Sequence, residues 1–288
     1  MLDILASGLV IGAAYASLGL CITLLSRMGG VVNFAQTAIG LLGSYLFLVL
    51  SDTPLPLWLA ALAGIICSAL VGAFSGAIMS RWFHDADVGT RSSVAIAMMI
   101  GYLSIGTRLF GDSPRQAPDL FDSLGLSLGA VNISGGLVVS LIVSILMAAG
   151  LHYYINNTHT GTRLQAFAAK SVTAELIGIP SDRLTIMIWS LAGAMSALAL
   201  LIIMTSSARN ANYASLSLLI IPALCTALIG SFHGFYLTLS GGLLLGILEA
   251  ATLSSPTTAP YAQTIYLPVI VLILLWTKRK DKWDGQRA

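Results

Sequence analysis

Apolar runs about as long as a bilayer is thick follow one another through this sequence, and charges fall largely in the gaps between them. A helix that crosses the hydrocarbon core needs about 20 mostly apolar residues. By that measure the expected spans are 4–25, 33–50, 58–79, 94–109, 133–153, 184–204, 218–232, 236–253 and 264–277. Several are short, and short or interrupted segments mark broken or re-entrant helices, whose freed backbone groups need protein or water around them. Only 9% of the 288 residues are charged and 57% are hydrophobic, whereas a soluble domain carries roughly 25% charged residues. Such a chain cannot cover its own surface with polar groups, so lipid must solvate much of it. The expected fold is all-α: a polytopic transmembrane helix bundle of eight or nine segments, some broken or short, forming one domain over 1–288.

Lys and Arg set the orientation, because they concentrate in cytoplasmic loops. Placing the basic tail 278–288 (KRKDKWDGQRA) in the cytoplasm and alternating the spans puts 11 of the 14 Lys and Arg there, including Arg27, Arg81, Arg91, Arg163, Lys170 and Arg183. Only Arg108, Arg115 and Arg209 fall on the other side, and the opposite orientation inverts the bias. The start MLDILASGLV has no basic stretch ahead of its apolar run and reads as a retained first span that begins outside. The outer loop 111–130, rich in Pro, Asp and Ser, reads as a lid or docking loop or as a plain connector. Gly8/Gly12, Gly72/Gly76, Gly230/Gly234 and Gly242/Gly246 each stand four apart, a spacing that lets another helix backbone approach closely.

Few residues offer chemistry. Glu249 is the only acidic residue deep in an expected span; it is either a gate or proton site, or a hydrated group near the outer end of its helix. Asn33, Phe34 and Gln36 interrupt the apolar pattern after Gly29-Gly30; the amides could line a polar path, and Asn33 could cap a helix. His84, Asp85 and Asp87 read as a solvated turn, and Cys21, Cys67 and Cys225 as small packing residues. No metal set is expected, no basic patch suggests nucleic acid, and there is no P-loop, so the chain itself holds no ATP phosphates.

One polar segment, 158–183 (THTGTRLQAFAAKSVTAELIGIPSDR), lies between two strongly apolar runs. Thr160-Gly161-Thr162 suits a turn, residues 163–177 favour helix with a bend at 171–173, and Gly178 with Pro180 stops it. Ala166, Ala168, Ala169 and Ala174 would leave a low-relief face for another protein's groove; a helix lying on lipid is the alternative. Here the sequence resembles the ATPase-coupling loop of branched-chain amino acid ABC importer permeases, the LivH/LivM type. Val32-Asn33-Phe34-Ala35-Gln36 through Gly43-Ser44-Tyr45 is similar to that family's N-F-A-x…G-x-Y segment. Residues 227–234 with 241–246 and Glu249 are similar to its late glycine-rich hairpin. The short N-terminus and the placement of Asn33 favour the LivH-like partner. Gln165 stands where the family usually has a basic residue, and Gln36 where it often has His.

The resemblance implies a permease subunit of an ATP-driven importer in a bacterial inner membrane, moving a small solute by alternating access. Two ABC ATPase subunits, which bind ATP and Mg, would grip the cytoplasmic loop 156–183 through Gly161, Arg163, Ala166, Ala174, Glu175, Gly178 and Ile179. A second permease subunit, LivM-like or a copy of the chain, would complete the pathway, to which Asn33, Phe34, Gln36 and Glu249 would contribute. An extracytoplasmic binding protein would deliver the solute, expected to be a branched-chain or other apolar amino acid or a related neutral compound. The chain would be no enzyme. The rival readings are an ion-coupled secondary transporter or channel using Glu249 or Asn33/Gln36, and a membrane-embedded enzyme, for which only scattered polar groups are present. The orientation has a direct check: protease added to inside-out vesicles is expected to cleave within 158–183, and protease added to right-side-out vesicles is not.

Overall fold

The computed structural model describes residues 2–111, 113–118, 120–121, 125–128, 131–206 and 210–284. Its first half contains α1 (Leu2–Gly29), α2 (Gln36–Ser51), α3 (Leu57–Trp82), α4 (Val88–Phe110) and α5 (Gly135–Asn157). Two short helices follow, α6 (His159–Ala169) and α7 (Ser171–Leu176), and then the long α8 (Ser181–Ser206). The chain continues through α9 (Tyr213–Ser217), α10 (Ile220–Ile229), α11 (Phe235–Leu253), a 3-10 turn (Ala259–Ile265) and α12 (Tyr266–Asp284). Each expected span overlaps a helix, but 33–50, 218–232 and 264–277 fall on the shorter apolar ones. Six of these helices are long and apolar enough to cross a membrane by length and composition. Two small antiparallel pairs sit in the connecting segments: β1 (Arg115–Gln116) with β4 (Asn210–Ala211), and β2 (Leu126–Leu128) with β3 (Val131–Ile133). The expected outer loop is therefore partly paired, although much of 111–130 lies outside the described residues, as do Arg209 and the last part of the basic tail, 285–288.

The centre of the bundle is α1. Its apolar window is 94% buried, against 22% for α3 and 17% for α4. Between helices in lipid there is little hydrophobic driving force, so association depends on close van der Waals contact and on interhelical hydrogen bonds. The glycine pairs supply the first. Gly8 and Gly12 of α1 meet Gly242 and Gly246 of α11 backbone to backbone; a Cβ on Gly12 would lie 2.8 Å from the Gly242 carbonyl oxygen. Gly72 and Gly76 of α3 receive Trp189 of α8, and Gly43 of α2 meets Gly64 of α3. Gly230 and Gly234, by contrast, bound the turn from α10 to α11 and make no helix groove. In that turn Ser231 and Phe232 hold positive φ angles of 50° and 55°.

Buried hydroxyls supply the second contribution. Ser68 Oγ donates to Ile39 O at 2.8 Å, Thr226 Oγ1 to Tyr15 O at 3.2 Å, and Thr23 and Thr238 pair at 3.1 Å. The outward faces are apolar instead: Leu70, Phe74, Leu109, Leu146, Leu244 and Leu272 are all exposed. That is the inverse of a soluble surface and suits lipid or a neighbouring membrane subunit. Asp87, expected in a solvated turn, caps α4 by accepting from the Gly89 and Thr90 amides. The Thr90 hydroxyl, foremost among these donors, holds its carboxyl below the usual range.

Two substitutions test the packing account. Gly246→Leu is expected to cost about 3 kcal/mol or more, read as a lower unfolding temperature and loss of monodisperse protein in detergent. Gly101→Ala, where a Cβ meets nothing within 4 Å, is expected to leave both unchanged. In the left-handed turn, Ser231→Gly is expected to raise the unfolding temperature by relieving strain of about 1 kcal/mol.

Candidate functional site

The polar segment folds as an elbow. Thr158 begins it: its Oγ1 accepts from the Gly161 amide at 3.0 Å and donates to Tyr154 O at 2.6 Å. This cap draws α6 back against the end of α5. Gly161 packs on the Tyr154 and Ile155 carbonyls with no room for a Cβ, and Gln165 Nε2 donates to Ile155 O at 3.0 Å. The stretch 160–162, expected as a turn, is therefore the first turn of α6, because Thr158 nucleates the helix ahead of it. The bend falls at Lys170, in extended backbone with φ −160°, rather than at 171–173.

The stop after α7 is as expected and its geometry is complete. Gly178 has φ +85°, its amide donates to Glu175 O at 2.9 Å, and the Ile179 amide reaches Ala174 O at 3.0 Å. This is the reciprocal pattern that ends a helix on a left-handed glycine. Four residues, 177–180, then lead into α8.

The exposed face of the elbow differs from the low-relief alanine surface expected. Gly161 and Ala174 are buried and Ala166 and Ile179 half-buried, so these four hold the elbow's shape. Arg163, Ala168, Ala169, Glu175 and Gly178 are exposed. The most prominent apolar groups are Leu176 and Ile177, 83% and 71% exposed. Small-residue content does not point to either; the signal in the sequence is an apolar pair directly before the stopping glycine. Glu175 also meets His84 of the α3–α4 turn, Oε1 to Nε2 at 3.0 Å, which ties the elbow to that turn.

Beneath the elbow lies a cavity of about 300 Å³. Its walls are residues 28–31, where α1 gives way to the α2 link, 79–80 at the end of α3, 167–171 of the elbow, and Thr185 and Trp189 of α8, with His84 from the α3–α4 turn and Arg91 from the start of α4. The link 30–35 is non-helical backbone, with Val31, Asn33 and Ala35 buried and Gly30 exposed.

Asn33 and Gln36 do not line this cavity. Both are fully buried, and Asn33 Nδ2 donates to Gln36 Oε1 at 2.8 Å. Gln36 Nε2 donates to Ala192 O at 2.9 Å and to Ser196 Oγ, while Asn33 Oδ1 accepts from the Ala35 amide at 3.0 Å. The pair staples the start of α2 to α8; Asn33 does not cap that helix, whose N-cap position is Ala35 with no side-chain bond, and Phe34 is half-buried beside it. Glu249 is neither open nor free: its Oε2 accepts from the hydroxyls of Tyr15 on α1 and, at 2.7 Å, Tyr266 on α12. Arg163, Glu175 and Gly178 are all exposed on the elbow, and Glu249 lies apart from them, between α1, α11 and α12. Among the described residues, no group of three or more His, Cys, Asp or Glu stands close enough to hold a metal ion.

Comparison with known proteins agrees with this architecture. A family model described as "Branched-chain amino acid transport system / permease component" matches residues 4–274. The high-affinity branched-chain amino acid transport system permease protein LivH of Salmonella typhimurium is 24% identical, over 93% of this chain and 91% of its own. The corresponding BraD protein of Pseudomonas aeruginosa is 25% identical over 94% and 92%. The ribose import permease protein RbsC of Haemophilus influenzae is 26% identical over 76% and 68%. With the match running through nearly every helix described above, the chain belongs to the permease-component family of branched-chain amino acid transport systems.

Proposed function

We propose that this chain is a permease subunit of an ATP-driven importer in a bacterial inner membrane, carrying a branched-chain or other apolar amino acid, or a related small neutral solute. The observation that carries the reading is the elbow: a rigidly stopped pair of helices that presents Leu176 and Ile177 and roofs a cavity at the break between α1 and α2. An exposed apolar pair on a well-ordered turn is a natural anchor for a partner's groove. Two ATPase subunits, each with its own ATP and Mg, would seize this surface, together with Arg163, Glu175 and Gly178, on the cytoplasmic side. Gly161, Ala166, Ala174 and Ile179 would keep the elbow stiff enough to pass the force on.

The force would act through α8. That helix carries Thr185 and Trp189 at the cavity wall and, further along, the Ala192 carbonyl and Ser196 hydroxyl that hold Gln36. Displacing α8 would therefore move the start of α2 with it. A second permease subunit would close the pathway, and an extracytoplasmic binding protein would select and deliver the solute. The relative that imports ribose marks the breadth of solutes such permeases carry. Ion coupling through Asn33/Gln36 or Glu249 gains no support, because the hydrogen-bonding groups of the first pair are engaged with one another and with α8, and Glu249 is held by two tyrosines.

Two measurements test the reading. Leu176→Asp combined with Ile177→Asp is expected to weaken co-purification of the ATPase by about tenfold or more, the loss of one buried apolar anchor, with membrane levels of the permease unchanged. Uptake is expected to fall with ATP depletion and to persist in the presence of an uncoupler; the reverse would favour an ion-coupled carrier.

A further inference from the structure

The cavity under the elbow has an asymmetry that its place in the fold does not require. One part of its wall is cationic and hydroxylic: Arg91, Lys170, Ser80 and Ser171. Another is apolar: Met28, Met79 and Trp189. No carboxylate lines it. Among the described residues, neither Arg91 nor Lys170 has an acidic group within salt-bridge distance; the neighbouring Glu175 is taken up by His84 at 3.0 Å, with Asp85 at 4.0 Å on the same imidazole. Arg91 is anchored by donating from Nε to Phe83 O at 3.0 Å and from Nη2 to His84 O, so its charge is fixed at the cavity's edge. Arg91 and Lys170, with no acid paired to either, line the same cavity as an apolar wall, which makes a site for the opposite arrangement: one anionic group on an apolar body.

We propose that this cavity binds a small organic anion with an apolar body, its acid group on Arg91 and Lys170 and its body against Met28, Met79 and Trp189. A zwitterion with the same body is disfavoured, because its ammonium would enter beside two cations with no acceptor carboxylate in the wall. The site is thus distinct in chemistry from one that takes an amino acid whole. The anion has two sources, a soluble carboxylic acid or the phosphate of a lipid headgroup. Occupancy would brace α6 and α7 against the α3–α4 turn and α8.

The test is equilibrium binding of radiolabelled 4-methylpentanoate to the full-length chain, with whatever subunits co-purify, in nanodiscs of phosphatidylcholine. Saturable binding is expected, about tenfold weaker in Lys170→Gln and in Arg91→Gln and restored in Lys170→Arg. Lys170 lies in the exposed bend with no side-chain hydrogen bond among the described residues, so its variants test the charge without disturbing the fold. Leucine, which adds only the ammonium, is expected to compete at least about tenfold more weakly than the unlabelled acid. Displacement by phosphatidylglycerol in the discs would identify a lipid phosphate as the natural occupant, and its failure to displace a soluble acid; both outcomes sustain the site. Absence of saturable binding, equal affinity in Lys170→Gln, or leucine competing as well as the acid would overturn it. Because the readout is binding rather than uptake, these results stand apart from those that decide the transport role.

Discussion

In a bilayer, helices gain nothing by hiding apolar surface from one another, since lipid already solvates it. What holds this bundle together is contact at distances that side chains forbid. The crossing of α1 with α11 at Gly8, Gly12, Gly242 and Gly246 is the clearest case, with backbone against backbone along much of the contact. It buries α1 in the centre and fixes where Tyr15 stands, and so where Glu249 finds its partners. The crossing of α3 with α8 at Gly72 and Gly76 does the same for Trp189 and the cavity wall.

Much of this was legible from residue order alone. Apolar length located the six helices long enough to cross a membrane and three shorter apolar ones among the described residues, and three of the four glycine pairs spaced four apart mark close-packed faces; the fourth, Gly230 and Gly234, serves a turn because the chain reverses between them. The stop at Gly178 was legible because a left-handed helix end is a local event that glycine and a following proline announce. The bend at Lys170 was not. Propensity favoured a break at the β-branched and hydroxyl residues 171–173, yet the chain breaks one residue earlier, at Lys170, after an α6 that is fastened to α5 through Gln165. The burial of Ala174 and Gly161 was hidden as well: a small residue looks alike on paper whether it faces a partner or fills a gap.

The polar residues show the limit more sharply. Glu249 is bonded by a tyrosine 234 positions earlier in the chain, and Gln36 by groups 156 and 160 positions later. No local pattern reports such distances. The place of Asn33 is visible only with Ala192 and Ser196 beside Gln36: its side chain bonds Gln36, which in turn bonds α8. Likewise the cavity draws its walls from α1, α3, α4, the elbow and α8, so its charge asymmetry exists only once the fold brings them together.

The two arms of the elbow are secured to different helices. Thr158, Gly161 and Gln165 fasten α6 to the end of α5, while the glycine stop at Gly178 and the short link after it join α7 to the start of α8. The joint between the arms is the single extended residue Lys170. The elbow therefore spans the gap between α5 and α8 and sets its width at that end. Along that gap runs an open groove walled by Met147, Met187 and Met195, side chains supple enough to repack as it widens or narrows.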